Sequence, residues 1–222
     1  MEIGPFYVKD CALICRMAGV HPAVSLRELR ARVEVCPTAS LYHHFCETKV
    51  RPSFDDPEYQ SDFAVWAARS LRDQALAERL GVINPYDYDD LEDLRAVVLD
   101  VLDDHLAGVP INPQAQRGDH FHFMQAMTVV FDTRVQIQTV PGLLPAITKM
   151  TPGSIYFHVI EARRRTPRGH DDFSTWLLPQ GGAAAEIAQE MSLIDFYFLS
   201  LRELQERLVT LLKSHFPTSM AV

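Results

Sequence analysis

Ser40-Leu-Tyr-His-His-Phe-Cys-Glu-Thr-Lys-Val-Arg51 has a second version 114 residues on (158 minus 44), Ser154-Ile-Tyr-Phe-His-Val-Ile-Glu-Ala-Arg-Arg-Arg165. Both read Ser, apolar, Tyr, any, His, apolar, any, Glu, any, basic, any, Arg. A repeated stretch sets the architecture of a chain, so it is read first. Tyr42 faces Tyr156, His44 faces His158, Glu47 faces Glu161 and Arg51 faces Arg165. Upstream, Leu29 meets Leu143 and Val33 meets Ile147 at the same offset. Downstream the offset falls to 110 (172 minus 62). Asp62-Phe63-x-x-Trp66 then meets Asp172-Phe173-x-x-Trp176, and Leu91, Leu94 and His105 meet Leu201, Leu204 and His215. The change falls in residues 52–61 against 166–171, where a surface loop absorbs a difference in length. An offset that holds, shifts in a loop and holds again is the signature of an internal duplication.

The flanking sequence predicts what each copy contains. In the first, Ala12-Leu-Ile-Cys15, Met17-Ala-Gly19 and residues 20–24 read as strand, turn and strand. In the second, Phe121-His-Phe-Met124 and Thr128-Val-Val-Phe131 are strand-like, Asp132-Thr133 reads as a turn, and Val135-Gln-Ile-Gln-Thr139 alternates with period two. One β-hairpin per copy is expected, the two able to pair into a small sheet. Ser25-Leu-Arg-Glu28 is a capping-box signature opening a helix that Pro37 ends. The repeated stretch is the next helix, with Thr151 as N-cap and Pro152 at the first position of the second copy. Ile155, His158, Val159 and Ala162 share one face, as do Leu41, His44, Phe45 and Thr48, so the repeated His points inward. Asp62 and Asp172 are expected to be N-caps of a third helix bearing Trp66 or Trp176, which Gly81 closes in the first copy. A fourth helix starts near residue 90, and Ser200-Leu-Arg-Glu203 opens its counterpart. The fold class expected is helix-dominated α+β: two tandem pseudo-symmetric repeats, each a short β-hairpin followed by about four helices. Repeat A covers 1–109, a linker 110–118 and repeat B 119–222, the two packing as one pseudo-twofold unit. Residues 217–222 are expected to be a frayed tail.

Composition narrows the function. The chain of 222 residues is 47% hydrophobic and 23% charged, ordinary for a globular protein. Its net charge of −8 lies entirely in residues 1–110, which hold 19 acidic and 11 basic side chains against 10 and 10 in the rest. An acidic chain with no basic stripe is a poor match for nucleic acid or an anionic membrane, so neither partner is expected. No stretch approaches 18 apolar residues, and Met1-Glu2-Ile3-Gly4-Pro5 has neither the basic start nor the apolar run of a signal peptide. Cys11, Cys15, Cys36 and Cys46 form no CxxC pair, and Met150 and Ile160 stand opposite two of them. Reduced thiols and a cytoplasmic location are expected.

The SLxEL-type helix start, the Tyr-x-His-x-x-Glu-x-Arg stretch (Tyr42, His44, Glu47 and the basic residues after it; Tyr156, His158, Glu161, Arg163) and the Asp-Phe-x-x-Trp after it resemble a bacterial and archaeal family of unknown function. The resemblance runs through nearly the whole chain, once per half. It implies no established activity. It does imply an association with genes for sugar-nucleotide glycosyltransferases of the trehalose-synthase type. The chain departs from the pattern at Thr139-Val-Pro-Gly-Leu143, where Pro141 and Gly142 replace good helix formers.

The candidate site is His44, Glu47 and Arg51 with His158, Glu161 and Arg165. Two imidazoles and two carboxylates suit zinc, iron or manganese, but the Glu-x-x-His order of dimetal bundles is reversed and their further Glu ligands are missing. The preferred reading is a buried His satisfied by a carbonyl, a Tyr hydroxyl or an Asp, with Tyr42, Asp62, Trp66, Tyr156, Asp172 and Trp176 as the structural motif around it. Lys49, Arg51, Arg163, Arg164, Arg165 and Arg168 can grip an anion, against ordinary i, i+4 pairing of Glu47 with Arg51 and Glu161 with Arg165. His120 and His122 share a strand face and, with His170, have the donors to ligate a metal, but Phe6 and Val8 stand opposite the strand pair, so no symmetric site follows. No nucleophile elbow, P-loop or dinucleotide fingerprint is present, and no metal or cofactor is assigned. Two functions stay open. The first is a non-catalytic interaction or regulatory protein, with a protein partner or self-association, acting with a carbohydrate-metabolism enzyme. The alternative is a metal- or sugar-phosphate-dependent enzyme with a site where the repeats meet.

Overall fold

The computed structural model describes residues 4–50, 59–166 and 169–216. Among these residues it is a helix-dominated α+β protein with one two-stranded antiparallel sheet. The chain divides into two compact units. One is Leu13–Met127. The other joins the described residues up to Ala12 with those from Thr128 on. Each strand belongs partly to both, since β1 spans Phe6–Met17 and β2 spans Met124–Ile137. Among the described residues no helix is long and apolar enough to cross a membrane.

In the contiguous unit, Ser25 accepts the Glu28 amide and opens α1, Leu26–Val35, while the Glu28 carboxylate takes the Val24 N–H. Cys36 and Pro37 end α1, and α2, Thr38–Cys46, follows and tightens into a 3₁₀ turn at Glu47–Val50. α3 is Asp62–Arg69, α4 is Gln74–Gly81 and α5 is Leu91–Gly108. α5 packs on α1, α2 and α4. The core is Leu26, Leu29, Leu41, Phe45, Phe63, Leu76, Leu80 and Leu94, all fully buried. Residues 112–115 are tied to the start of α1: the Leu26 amide donates to the Pro113 carbonyl and the Ala115 amide to that of Val24.

In the discontinuous unit a 3₁₀ turn at Val140–Gly142 precedes α6, Leu143–Lys149, which therefore starts late, as Pro141 and Gly142 dictate. α7, Pro152–Ile155, continues through a π-helical stretch, Tyr156–Glu161, into α8, Ala162–Arg165. α9 is Asp172–Leu177, α10 is Gly182–Ser192, and α11, Leu201–His215, opens with a full Ser200/Glu203 capping box. α11 packs on α6, α7 and α10. Its core includes Ile155, Tyr156, Phe173, Leu177, Ile187 and Leu212.

Three expectations need correction. Among the described residues neither half forms a hairpin: each contributes a single long strand, and the two strands pair with each other. Asp132-Thr133 does not reverse the chain. Arg134, at φ 60°, absorbs an irregularity while the Thr133 hydroxyl donates to the Val8 carbonyl and holds β2 on β1. The third helix breaks into two in each half. Arg72 at φ 55° and the Asp73 cap make the break in one, and Gly181 and Gly182, at φ 69° and 51°, in the other. Asp62 and Asp172 are not N-caps either. Ser61 and Asp171 take that role, accepting the amides of Ala64 and Ser174.

One packing contact appears in both units. Arg95 on α5 donates to the Val33 carbonyl at the end of α1 and lies 3.5 Å from Cys36 Sγ. Gln205 on α11 donates to the carbonyls of Ile147 and Met150 at the end of α6, at 2.7 and 3.0 Å. Both supply orphan helix-end carbonyls with a donor. Burial pushes the Cys36 thiol up, against the opposing pull of Arg95.

Candidate functional site

Because Ser61 and Asp171 cap their helices, Asp62 and Asp172 fall at the first helical position, and their carboxylates turn to the histidines. In the contiguous unit, Asp62 Oδ2 is 2.6 Å from His44 Nδ1. The Met124 amide at the start of β2 donates to His44 Nε2 at 2.9 Å. An amide N–H needs a lone pair at Nε2, so the proton of the neutral ring is on Nδ1 and is donated to Asp62. The ring, 2% exposed, lies 4.8 Å from Phe121, which stacks on Phe63 at 4.9 Å. Trp66 Nε1 donates to the Asp119 carbonyl at 2.7 Å.

The discontinuous unit holds the same set. His158 Nδ1 lies 2.8 Å from Asp172 Oδ2, and the Lys9 amide of β1 donates to His158 Nε2 at 2.9 Å. Phe6 lies 4.9 Å from the His158 ring and stacks on Phe173 at 5.1 Å. Trp176 Nε1 donates to the Gly4 carbonyl at 2.9 Å. This unit adds a bond from Ser154 Oγ to the Lys9 carbonyl at 2.6 Å. It also holds β1 so close to α7 that a Cβ on Gly153 would collide with the Cys11 carbonyl oxygen and with Asp10 Oδ1. His44 lies in the last turn of α2 and His158 in the π-helical stretch after α7, and each ring accepts a strand amide.

The other candidates take different partners from those expected. Glu47 reaches His43: His43 Nδ1 and Glu47 Oε2 are 2.6 Å apart with side chains 1% and 3% exposed. His43 and Glu47 are helical neighbours at i, i+4, whereas His44 turns to Asp62. Arg51 and Arg168 lie outside the described residues. Arg165 stacks on Phe157 at 4.0 Å and donates to the Phe157 carbonyl and to Asp172 Oδ2 at 2.9 and 3.0 Å, not to Glu161. Glu161 lies 3.6 Å from Arg164. Arg163 stacks on Phe196 and donates to the Gly169 carbonyl. Tyr42 and Tyr156 are core residues, 3% and 0% exposed. The His120 and His122 rings are 6.2 Å apart.

Among the described residues, His43, His44 and Asp62 alone form a group whose potential ligand atoms lie within 4.8 Å of one another. The donor chemistry does not fit a metal. His44 has spent its lone pair on the Met124 amide and carries its proton toward Asp62. A metal at either nitrogen would displace one of those bonds and leave a buried group unsatisfied. The residues that reasoning from sequence missed are Lys9 and Met124. They act through backbone N–H groups, which no side-chain motif records. Their one trace is an offset of 115 between the strands (121 minus 6), one more than that of the helices.

A model of a family described as "Family of unknown function (DUF5752)" matches residues 3–213. No curated protein matches. Among solved structures, "The structure of OrfY from Thermoproteus tenax" is similar in fold, with a TM-score of 0.77, 25% sequence identity and 96% of each chain covered.

Proposed function

We propose that this chain, which belongs to the DUF5752 family, is a non-catalytic protein that acts by binding another protein. One observation carries this: each repeated histidine, the group best suited to chemistry, has both ring nitrogens engaged inside its own unit. Neither ring has a proton or lone pair to offer a substrate or a metal without breaking the contact that holds a strand. Arg165, one of the anion-binding candidates in the described chain, is likewise engaged by a carbonyl, a carboxylate and an aromatic face. The two halves are copies of one module. Support for this comes from the matched His–Asp–amide sets, the matched Trp-to-carbonyl bonds, and Arg95 and Gln205 at the same place (205 minus 95, an offset of 110). The copies differ in charge, which gives them different surfaces for partners. Its first partner to test is a glycosyltransferase of the trehalose-synthase type, the class that the sequence resemblance implies.

Native mass spectrometry of the untagged chain from its own cells tests this reading. The expected result is a chain carrying no metal or small ligand, either bound to a second protein or bare. Stoichiometric metal or sugar phosphate, lost in both His44→Gln and His158→Gln, overturns it in favour of the enzyme.

A further inference from the structure

We propose that the helices of each copy form a slot for the strand of the other copy, so that what this module binds is a second copy of itself. This rests on the duplication proposed above. The slot around His158 is built by α7, α9 and the π-helical stretch, all from the second half, yet it holds Gly4, Phe6 and Lys9 from the first. The slot around His44 is built by α2 and α3 from the first half, yet it holds Asp119, Phe121 and Met124 from the second. In both slots the strand and the residues that lead into it are read at three points with one spacing. The Trp indole takes the carbonyl of the first residue. An aromatic ring two residues on lies against His and Phe. The His Nε2 takes the amide three residues after that. Two of the three contacts are to backbone, so the slot selects an extended segment with one aromatic anchor, as strand-addition grooves do.

The division into units falls where exchange requires it. β1 passes from one unit to the other after Ala12 and β2 after Met127, 115 residues apart (127 minus 12), the same offset that relates the strands. Each unit is therefore completed by the opposite copy, and the peptide link between copies is not what holds either slot filled.

The test starts from the intact protein. A protease site placed between Val109 and Ile111, where Pro110 and Ile111 are exposed, is cut in the folded state. Native mass spectrometry is expected to find the two fragments still joined one to one. With Phe6→Ala and Phe121→Ala together, the cut complex is expected to dissociate at a protein concentration at least tenfold higher. Half-size species from the unsubstituted cut protein overturn the proposal, as does a dissociation concentration unmoved by the two substitutions. A second measurement separates this proposal from the duplication. Labelled peptides of residues 4–12 and 119–127 are added to full-length Phe6→Ala protein, whose strand is weakly held. Binding of both, lost when the anchoring Phe6 or Phe121 is Ala, supports slots and copies alike. Binding of 4–12 alone keeps the slot and sinks the equivalence of the copies. Binding of neither overturns the slot.

Discussion

His44 and His158 decide more than their number suggests, because each joins a helix, a carboxylate and a strand amide in a buried place. Replacing either by Ala removes two hydrogen bonds and leaves a cavity, an orphaned amide and an unpaired Asp. A loss of about 3 kcal/mol is expected for each in urea unfolding. Phe at these positions keeps the volume but not the acceptor, and is expected to cost about 2 kcal/mol. If both Ala variants melt like the parent, the histidines are not structural. The two serines that open the repeated stretch make a finer comparison. Ser154 Oγ donates to the Lys9 carbonyl, whereas Ser40 Oγ is buried with no hydrogen-bond partner. Ser154→Ala is expected to lose about 1 kcal/mol and Ser40→Ala to lose nothing or gain slightly in the same assay. The inward face of both histidines was legible from helical spacing. Their partners were only half legible. Asp62 and Asp172 stand out as residues but look like caps, because the true caps, Ser61 and Asp171, are one position earlier and differ in type.

At the scale of elements, the helices follow from caps and breakers that sequence displays, and the strands do not. Asp132-Thr133 has the composition of a turn. What keeps β2 extended is a side-chain bond from Thr133 to a residue 125 positions earlier, which local patterning cannot register. The break between α3 and α4 is hidden for a related reason, since Arg72 adopts a left-handed backbone that its type does not announce. The passage of β1 over α7 gives the sharpest test at this scale. Gly153 has no room for a methyl group beside the Cys11 carbonyl, while Ala39 occupies the matching place on α2. Gly153→Ala is expected to destabilise the protein by about 2 kcal/mol through overpacking, despite the better helix propensity of Ala. A melting temperature equal to or above the parent's would show that the strand can move aside.

For the whole molecule, the chain's two tryptophans fall one in each unit, Trp66 and Trp176, each bonded to a carbonyl shortly before a strand. Each single-tryptophan protein, made by Trp→Phe at the other site, reports on one unit. His44→Ala is expected to lower the denaturant midpoint seen by Trp66 more than that seen by Trp176, and His158→Ala to do the reverse; identical shifts would mean that the units unfold as one. The duplication proposed above rests on motifs long enough to be read in the sequence. The assignment of strands to helices is not legible there, because strand and slot are 149 residues apart in one unit and 80 in the other. That separation also governs how the protein is made. Gly4, Phe6 and Lys9 leave the ribosome long before His158, Asp172 and Trp176. At roughly 5–20 residues per second, the apolar first strand waits about 8–30 seconds for its place. The contiguous unit can close as soon as Met127 has emerged. The other closes last and from both ends of the chain, so nascent chains in polysomes have that interval in which to capture a neighbour's strand or a chaperone.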